Sequence, residues 1–261
     1  MLGPVLVVIV LAAVTGCVHG LGASNAYGNL IAPLLPGVLA VLFQLLASRR
    51  PLRLLFVAPD HERAHSMALS FLISAVPLGV MWVVLCQSLQ KSPGPTAIIM
   101  AVALLGALIL AYCLRFIRRP SGWDVYALML APSAVTFLAM PLAIPNLRFH
   151  FAPAAIGMNF LMNTLAALVS EELCFRGYVV GVLGRFATSS WAWSAVAFAL
   201  YHVPFHLASG VPVHKLWLTL LGNGINGLAF AVLFSRTGNL AYPAVAHGLA
   251  NGLRAGFRPA Q

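Results

Sequence analysis

Acidic residues are nearly absent from this 261-residue chain: Asp and Glu together number 5, against 15 Lys and Arg. Charged residues of both signs make up 8% of the sequence, where a soluble domain carries about 25%. Hydrophobic residues reach 61% and the mean hydropathy is +0.94. These values exclude a soluble globular domain and a disordered chain, and leave an integral membrane protein. The apolar runs are continuous and do not alternate in segments of about 10 residues, which excludes a transmembrane barrel. Cysteine is scarce too. Cys17, Cys86, Cys113 and Cys174 show no CxxC pair, which argues against a disulfide framework or a zinc ribbon and leaves buried thiols that pack as small hydrophobes. The net charge of +10 would suit nucleic acid only if the cations formed a patch. They stand instead at the ends of apolar runs, so no nucleic-acid partner is expected.

With about 20 residues per crossing, nine hydrophobic segments lie near 3–21, 28–48, 65–88, 96–116, 122–145, 154–175, 190–208, 215–235 and 239–256. The expected fold is therefore all-α, a polytopic transmembrane bundle of about 8–9 helices with its site inside the membrane. Residues 1–150 carry no motif, whereas 151–261 hold every constellation with chemical content. A cytoplasmic N-terminus puts Arg49, Arg50, Arg53, Arg63, Arg115, Arg118, Arg119, Arg176, Arg185 and Arg236 inside, and Lys91, Arg148, Lys215, Arg254 and Arg258 outside. This obeys the positive-inside bias. Arg254 and Arg258 fit least well, unless the last segment stops short of a full crossing. Val14-Thr15-Gly16-Cys17 resembles a lipoprotein cleavage box, but no Lys or Arg precedes it as a signal peptide would require. A retained first helix is expected.

Two of the five acidic residues, Glu171 and Glu172, stand side by side at the end of an apolar run. Each carboxylate at membrane depth costs roughly 2.5–3.5 kcal/mol on insertion scales, so two together point to a functional site. On a helix Glu172 and Arg176 are spaced i,i+4 and can pair. Glu171, turned about 100° away, is left free to act as a base. His202 lies one turn after Phe198 in a second apolar segment, and Pro204 is expected to kink or end that helix. In a third segment His247 and Asn251, again i,i+4, present an imidazole and a carboxamide on one face. Both can donate to a developing oxyanion. Taken singly, each group also fits ordinary polar contacts between membrane helices, and Asn223 and Asn226 are read in that way. Zinc is the rival explanation, through His202 and His206 with Glu171 and His247. The intervening Pro204 and the lack of HExxH count against it, and His206 is placed near the outer interface.

The Glu-Glu-x-x-x-Arg run at 171–176, Phe-x-x-x-His at 198–202 and His-x-x-x-Asn at 247–251 resemble the CAAX protease and bacteriocin-processing family of intramembrane glutamic endopeptidases. The resemblance covers roughly residues 155–256. It implies that Glu171 with His202 activates water, that His247 and Asn251 bind the oxyanion, and that Glu172, Arg176 and Phe198 support the site. It further implies a peptide bond near the terminus of a membrane-associated protein or peptide as substrate, with no cofactor and a metal-free mechanism favoured over zinc. The Ala/Val/Gly/Arg-rich composition suits a bacterial inner membrane, and the site is expected to open toward the cytoplasmic half. Two rivals stand beside it. One is a non-catalytic scaffold or bacteriocin self-immunity protein that retains the motifs. The other is a transporter relaying protons through Glu171 and His202, which the lack of matching Gly/Pro-broken segments in two halves disfavours.

Overall fold

The computed structural model describes residues 34–45, 52–57, 69, 70, 73, 75, 93–117, 122–143, 146–182, 189–208 and 210–259. The expected first segment with its Val14–Cys17 box, most of segment 65–88, Cys86, and the residues Arg49, Arg50, Arg63, Lys91, Arg118, Arg119 and Arg185 lie outside them. The described helices are α1 (Leu35–Phe43), α2 (Pro93–Leu114), α3 (Trp123–Ala143), α4 (Pro153–Val169), α5 (Ser190–Ala208), α6 (Leu216–Thr237) and α7 (Ala241–Arg254). A π-helical segment, Leu173–Val182, follows α4, and short 3-10 turns occupy Leu52–Leu55 and Val213–Lys215. The only strands among the described residues, β1 (Leu147–Phe149) and β2 (Phe257–Pro259), form a small antiparallel ribbon with Arg148 opposite Arg258. The architecture is an all-α membrane bundle. Among the described residues three helices, Gly94–Leu114, Trp123–Leu142 and Val213–Thr237, are long and apolar enough to cross a bilayer.

The expected segment 154–175 is where the chain departs most from its sequence pattern. Its apolar run does not end at an interface. Ser170 leaves helical geometry (φ −109°, ψ −91°), and its hydroxyl donates back to the Ala166 carbonyl at 2.8 Å, a contact that bends helices. The chain resumes in the wider π winding, and Pro153–Val169 and Leu173–Gly181 form one broken span bent by 43°. Gly177 permits that winding against the Leu52–Leu55 turn, since a Cβ there would lie 2.2 Å from the Leu55 carbonyl oxygen. Glu171 therefore sits at an internal break of a long span.

Of the two outcomes expected at Pro204, a kink or an end, the end does not occur, since α5 runs on to Ala208. Pro132 and Pro141 sit inside α3 in the same way, as membrane helices tolerate when neighbours re-satisfy the freed backbone groups. The last helix, α7, has 14 residues and spans about 21 Å, short of the roughly 30 Å hydrocarbon core. Both of its ends are tied down. At the first, Asn239 donates to the Cys113 carbonyl at 2.8 Å, the Leu240 amide donates to Phe56 O at 3.1 Å, and Arg236 lies 3.6 Å from Asp124. At the other end the β1–β2 ribbon fastens the chain beyond α7 to the chain before α4, with Phe137, Phe149 and Phe257 packed together.

One core cluster joins Ala40, Leu55 and Ala103 from the first 150 residues to Leu165, Phe198, Phe230 and Ala246 from the remainder. Small residues bring the helices close, as in other membrane bundles. A Cβ at Gly106 would meet Leu165 O at 2.4 Å, and one at Gly248 would meet Thr164 Oγ1 at 1.9 Å. Gly248 stands between His247 and Asn251, so the closeness of α7 to α4 and the placement of both polar side chains depend on the same missing methyl. Gly248→Val should lower stability by about 1–3 kcal/mol. Gly157→Ala, where an added Cβ meets nothing within 4 Å, should leave it unchanged or raised. Thermal unfolding of the two variants in detergent separates the cases.

Candidate active site

Four helical elements deliver the site. The break after α4 supplies Glu171 and Glu172, the π-helical segment Arg176, α5 His202, and α7 His247 and Asn251. Glu172 and Arg176 have no solvent exposure and lie 3.4 Å apart, Oε2 to Nε. The guanidinium also donates to Gly227 O at 3.3 Å and lies over the Phe198 ring at 4.4 Å and the Phe230 ring at 5.0 Å. Cation–π contact of this kind gains when it is desolvated. The i,i+4 pairing expected from sequence is thus present, within a buried aromatic box.

Glu172 has a second partner that spacing along the chain could not reveal. Its Oε1 accepts from His247 Nδ1 at 2.7 Å, and the His247 ring stacks on Phe230 at 4.9 Å and 14°. Glu172 therefore fixes the imidazole of α7 as well as the guanidinium of its own helix. A carboxylate–imidazole bond orients the ring and aims the other nitrogen. That nitrogen, Nε2, faces Glu171 Oε2 at 3.6 Å.

The other oxygen of Glu171, Oε1, faces His202 Nε2 at 3.9 Å. His202 Nδ1 is 2.8 Å from the Phe198 carbonyl. A carbonyl only accepts, so the Nδ1 proton is assigned to that bond. In the neutral ring Nε2 is then an acceptor turned toward Glu171. Glu171 lies between two imidazoles, neither within hydrogen-bonding distance, and its buried Oε2 accepts no hydrogen bond. This contrasts with Glu172, which is locked on both sides.

Glu171, His202, His247 and Asn251 all line one cavity of about 350 Å³. Asn251 is held by a residue the sequence did not single out: its Nδ2 donates to Asn163 Oδ1 at 3.3 Å, while Asn163 is anchored to Asn159 O at 2.8 Å. One N–H of Asn251 remains for a ligand. His206, expected near an outer interface, also lines the cavity, and its Nε2 contacts Asn223 Nδ2 at 3.0 Å. Asn223 is therefore part of the cavity wall as well as a helix-to-helix contact. The signal that could have revealed these residues is the i,i+4 repeat of Asn159 and Asn163 on α4 and of His202 and His206 on α5. Among the described residues, no three His, Cys, Asp or Glu side chains are grouped to hold a metal ion.

Ile98, Ile99, Val102 and Ala103 of α2 also line the cavity, so the motif-free part of the chain supplies one wall.

Residues 153–253 match the family model described as type II CAAX prenyl endopeptidase Rce1-like, a stretch that runs from the first residue of α4 nearly to the end of α7. No curated protein and no solved structure matches the chain.

The unlike settings of the two carboxylates predict unlike defects. Glu172→Gln leaves Arg176 as an uncompensated buried cation and should cost roughly 3–5 kcal/mol, read as a lower melting temperature in detergent. Glu171→Gln should leave the melting temperature unchanged or raise it.

Proposed function

We propose, from the match of residues 153–253 to the type II CAAX prenyl endopeptidase Rce1-like family model, that the chain is an intramembrane glutamic endopeptidase that cuts a peptide bond near the terminus of a membrane-associated protein or peptide. The observation that supports this best is the position of Glu171, with one oxygen toward each imidazole, in the cavity that Asn251 also lines. A water donating to Glu171 Oε1 and His202 Nε2 keeps a lone pair free for a carbonyl carbon, and the two bases are spaced to share it. As that water attacks, Glu171 takes its proton. The carbonyl oxygen gains negative charge that His247, with a proton on Nε2 and its Nδ1–H held by Glu172, can stabilise together with the free N–H of Asn251. Donors already in place at the developing charge are the largest single contribution in such reactions. Collapse of the tetrahedral intermediate breaks the C–N bond, and Glu171 returns its proton to the leaving amine.

Glu172, Arg176 and Phe198 support this arrangement without touching substrate. One carboxylate and one imidazole suffice to activate water, so the proposed mechanism is metal-free and needs no cofactor. The protein is a multi-pass membrane protein. The proposal places it in a bacterial inner membrane with a cytoplasmic N-terminus, on the arginine distribution, and with the cavity opening toward the cytoplasmic half.

Peptide cleavage by the detergent-solubilised chain tests the assignment. Glu171→Gln and His202→Ala should each lower turnover by roughly 10²–10⁴-fold, the usual contribution of a positioned base, while a chelator should leave the wild-type rate unchanged. Wild-type turnover by Glu171→Gln would remove the glutamate mechanism. Loss of activity with chelator, restored by zinc, would remove the metal-free one.

A further inference from the structure

α6 is apolar along most of its length, but its first half carries a polar stripe. Lys215 at its start, then Thr219, Asn223 and Asn226, recur at spacings of four, four and three and so share one helical face. At 1.5 Å per residue the stripe runs about 16 Å, over half of the roughly 30 Å hydrocarbon core. All four residues line a second cavity, of about 440 Å³, whose wall on α3 is apolar apart from Thr136. His206, Asn223, Asn226 and Arg254 line this cavity and the catalytic one alike, so the two meet there.

Two buried polar atoms in this second cavity have no partner within the protein. Asn226 is 7% exposed and Thr136 is 3% exposed, yet Asn226 Oδ1 and Thr136 Oγ1 form no hydrogen bond among the described residues. The contrast with other helical hydroxyls is direct. Thr164 and Ser235 donate to the carbonyl four residues earlier, at 2.8 and 2.9 Å, and Thr136 does not. Buried orphans of this kind are satisfied by water where the space is polar and roomy enough. At about 30 Å³ per water the cavity holds several. Further partners stand along the stripe. The Thr219 hydroxyl donates to Leu216 O at 2.8 Å and its oxygen can still accept, while Asn223 Nδ2 donates to His206 Nε2 at 3.0 Å and ties α5 to α6 at the junction. Donors and acceptors in succession, facing an apolar wall, are the lining of a water path.

We propose that the second cavity is the inlet by which hydrolytic water reaches Glu171, entering near Lys215, following the α6 stripe and passing Asn226 into the catalytic cavity. The proposal rests on the peptidase assignment above and adds the route taken by its second substrate. Each turnover consumes one water. A peptide bound in the catalytic cavity of about 350 Å³ displaces the water beside Glu171, and α2 and α4 wall that cavity with apolar side chains such as Ile99, Val102 and Met162. A separate polar path lets water arrive while the substrate stays in place. Asn226 and Thr136 are positioning residues, which hold water and touch no peptide.

Hydration of the path can be read apart from cleavage. Gly222 lines the second cavity, and a Cβ there meets nothing within 4 Å. The adjacent Leu221 is 55% exposed on the surface of the same spanning helix. The full-length Gly222→Cys and Leu221→Cys proteins, in lipid nanodiscs, are treated with a charged methanethiosulfonate, and modification at each new thiol is followed by mass spectrometry. The reacting thiolate forms in water, so Gly222→Cys should react about 10-fold faster than Leu221→Cys. Adding Asn226→Leu with Thr136→Val should remove most of that advantage. Unmodified Gly222→Cys should cleave peptide at the wild-type rate. Its modified form, with the inlet obstructed, should lose about 10-fold in kcat at unchanged KM. Equal reactivity of the two thiols, an advantage that survives Asn226→Leu with Thr136→Val, or a modified protein that keeps its kcat overturns the proposal. So does preferential reaction of Gly222→Cys with an apolar maleimide, which would assign the cavity to lipid. Wild-type cleavage is scored separately. A hydrated path without cleavage would sink the peptidase assignment and spare the path, whereas cleavage with an unreactive Gly222→Cys would do the reverse.

Discussion

A guanidinium with no access to solvent has to be neutralised where it lies, and in this fold Glu172 does so. Ionic groups are costly at membrane depth, and a buried pair repays its desolvation only when its geometry is good and the remaining polar atoms are satisfied. Arg176 is held by the Glu172 ion pair, the Gly227 carbonyl and the faces of Phe198 and Phe230, while its Nε and Nη1 donate no hydrogen bond among the described residues and leave part of that cost uncompensated. The same carboxylate then accepts from His247 on a helix 75 residues away. Three elements, the break after α4, the π-helical segment and α7, are thus oriented by one charge cluster. The catalytic groups inherit their positions from it.

The break at Ser170 is the second constraint. A continuous helix would carry Glu171 toward one face of the membrane and leave His202 in the interior. The 43° bend with π winding beyond it keeps the chain within the bundle and turns the Glu171 carboxylate between the rings of α5 and α7. π-helical turns are uncommon and concentrate at functional sites, and here the wide turn permits the adjacent residues Glu171 and Glu172 to take opposite duties. The glycines that let α7 lie against α4 complete the arrangement by setting the depth of His247 and Asn251.

Much of this was legible in the sequence because local spacing carried it. The Glu172–Arg176 pair and the shared face of His247 and Asn251 follow from helical periodicity, and the membrane bundle follows from composition. What the sequence hid is long-range or depends on backbone irregularity. Nothing in the spacing joins Glu172 to His247 or Asn163 to Asn251. An apolar run with a serine in it reads as a helix ending at the membrane surface, although the chain continues as a bent span. Pro204 reads as a kink or a stop because propensities describe helices in water, and in the bundle α5 continues through it. Asn223 and Asn226 read as interhelical contacts because their chemistry alone cannot tell a satisfied carboxamide from a free one. The Leu147–Phe149 and Phe257–Pro259 ribbon was missed for want of length, since three residues at each end carry no pattern.

The account turns on Glu171 and His202 sharing one water as a unit, with Glu172 and Arg176 holding them in place. Groups that act together are strongly non-additive when removed. The most direct measurement is therefore a double-mutant cycle of peptide turnover for Glu171→Gln and His202→Ala in protein verified as folded. The prediction is that the double variant is no slower than the worse single variant. Defects that multiply would show that the two residues act independently and would contradict the shared-water mechanism.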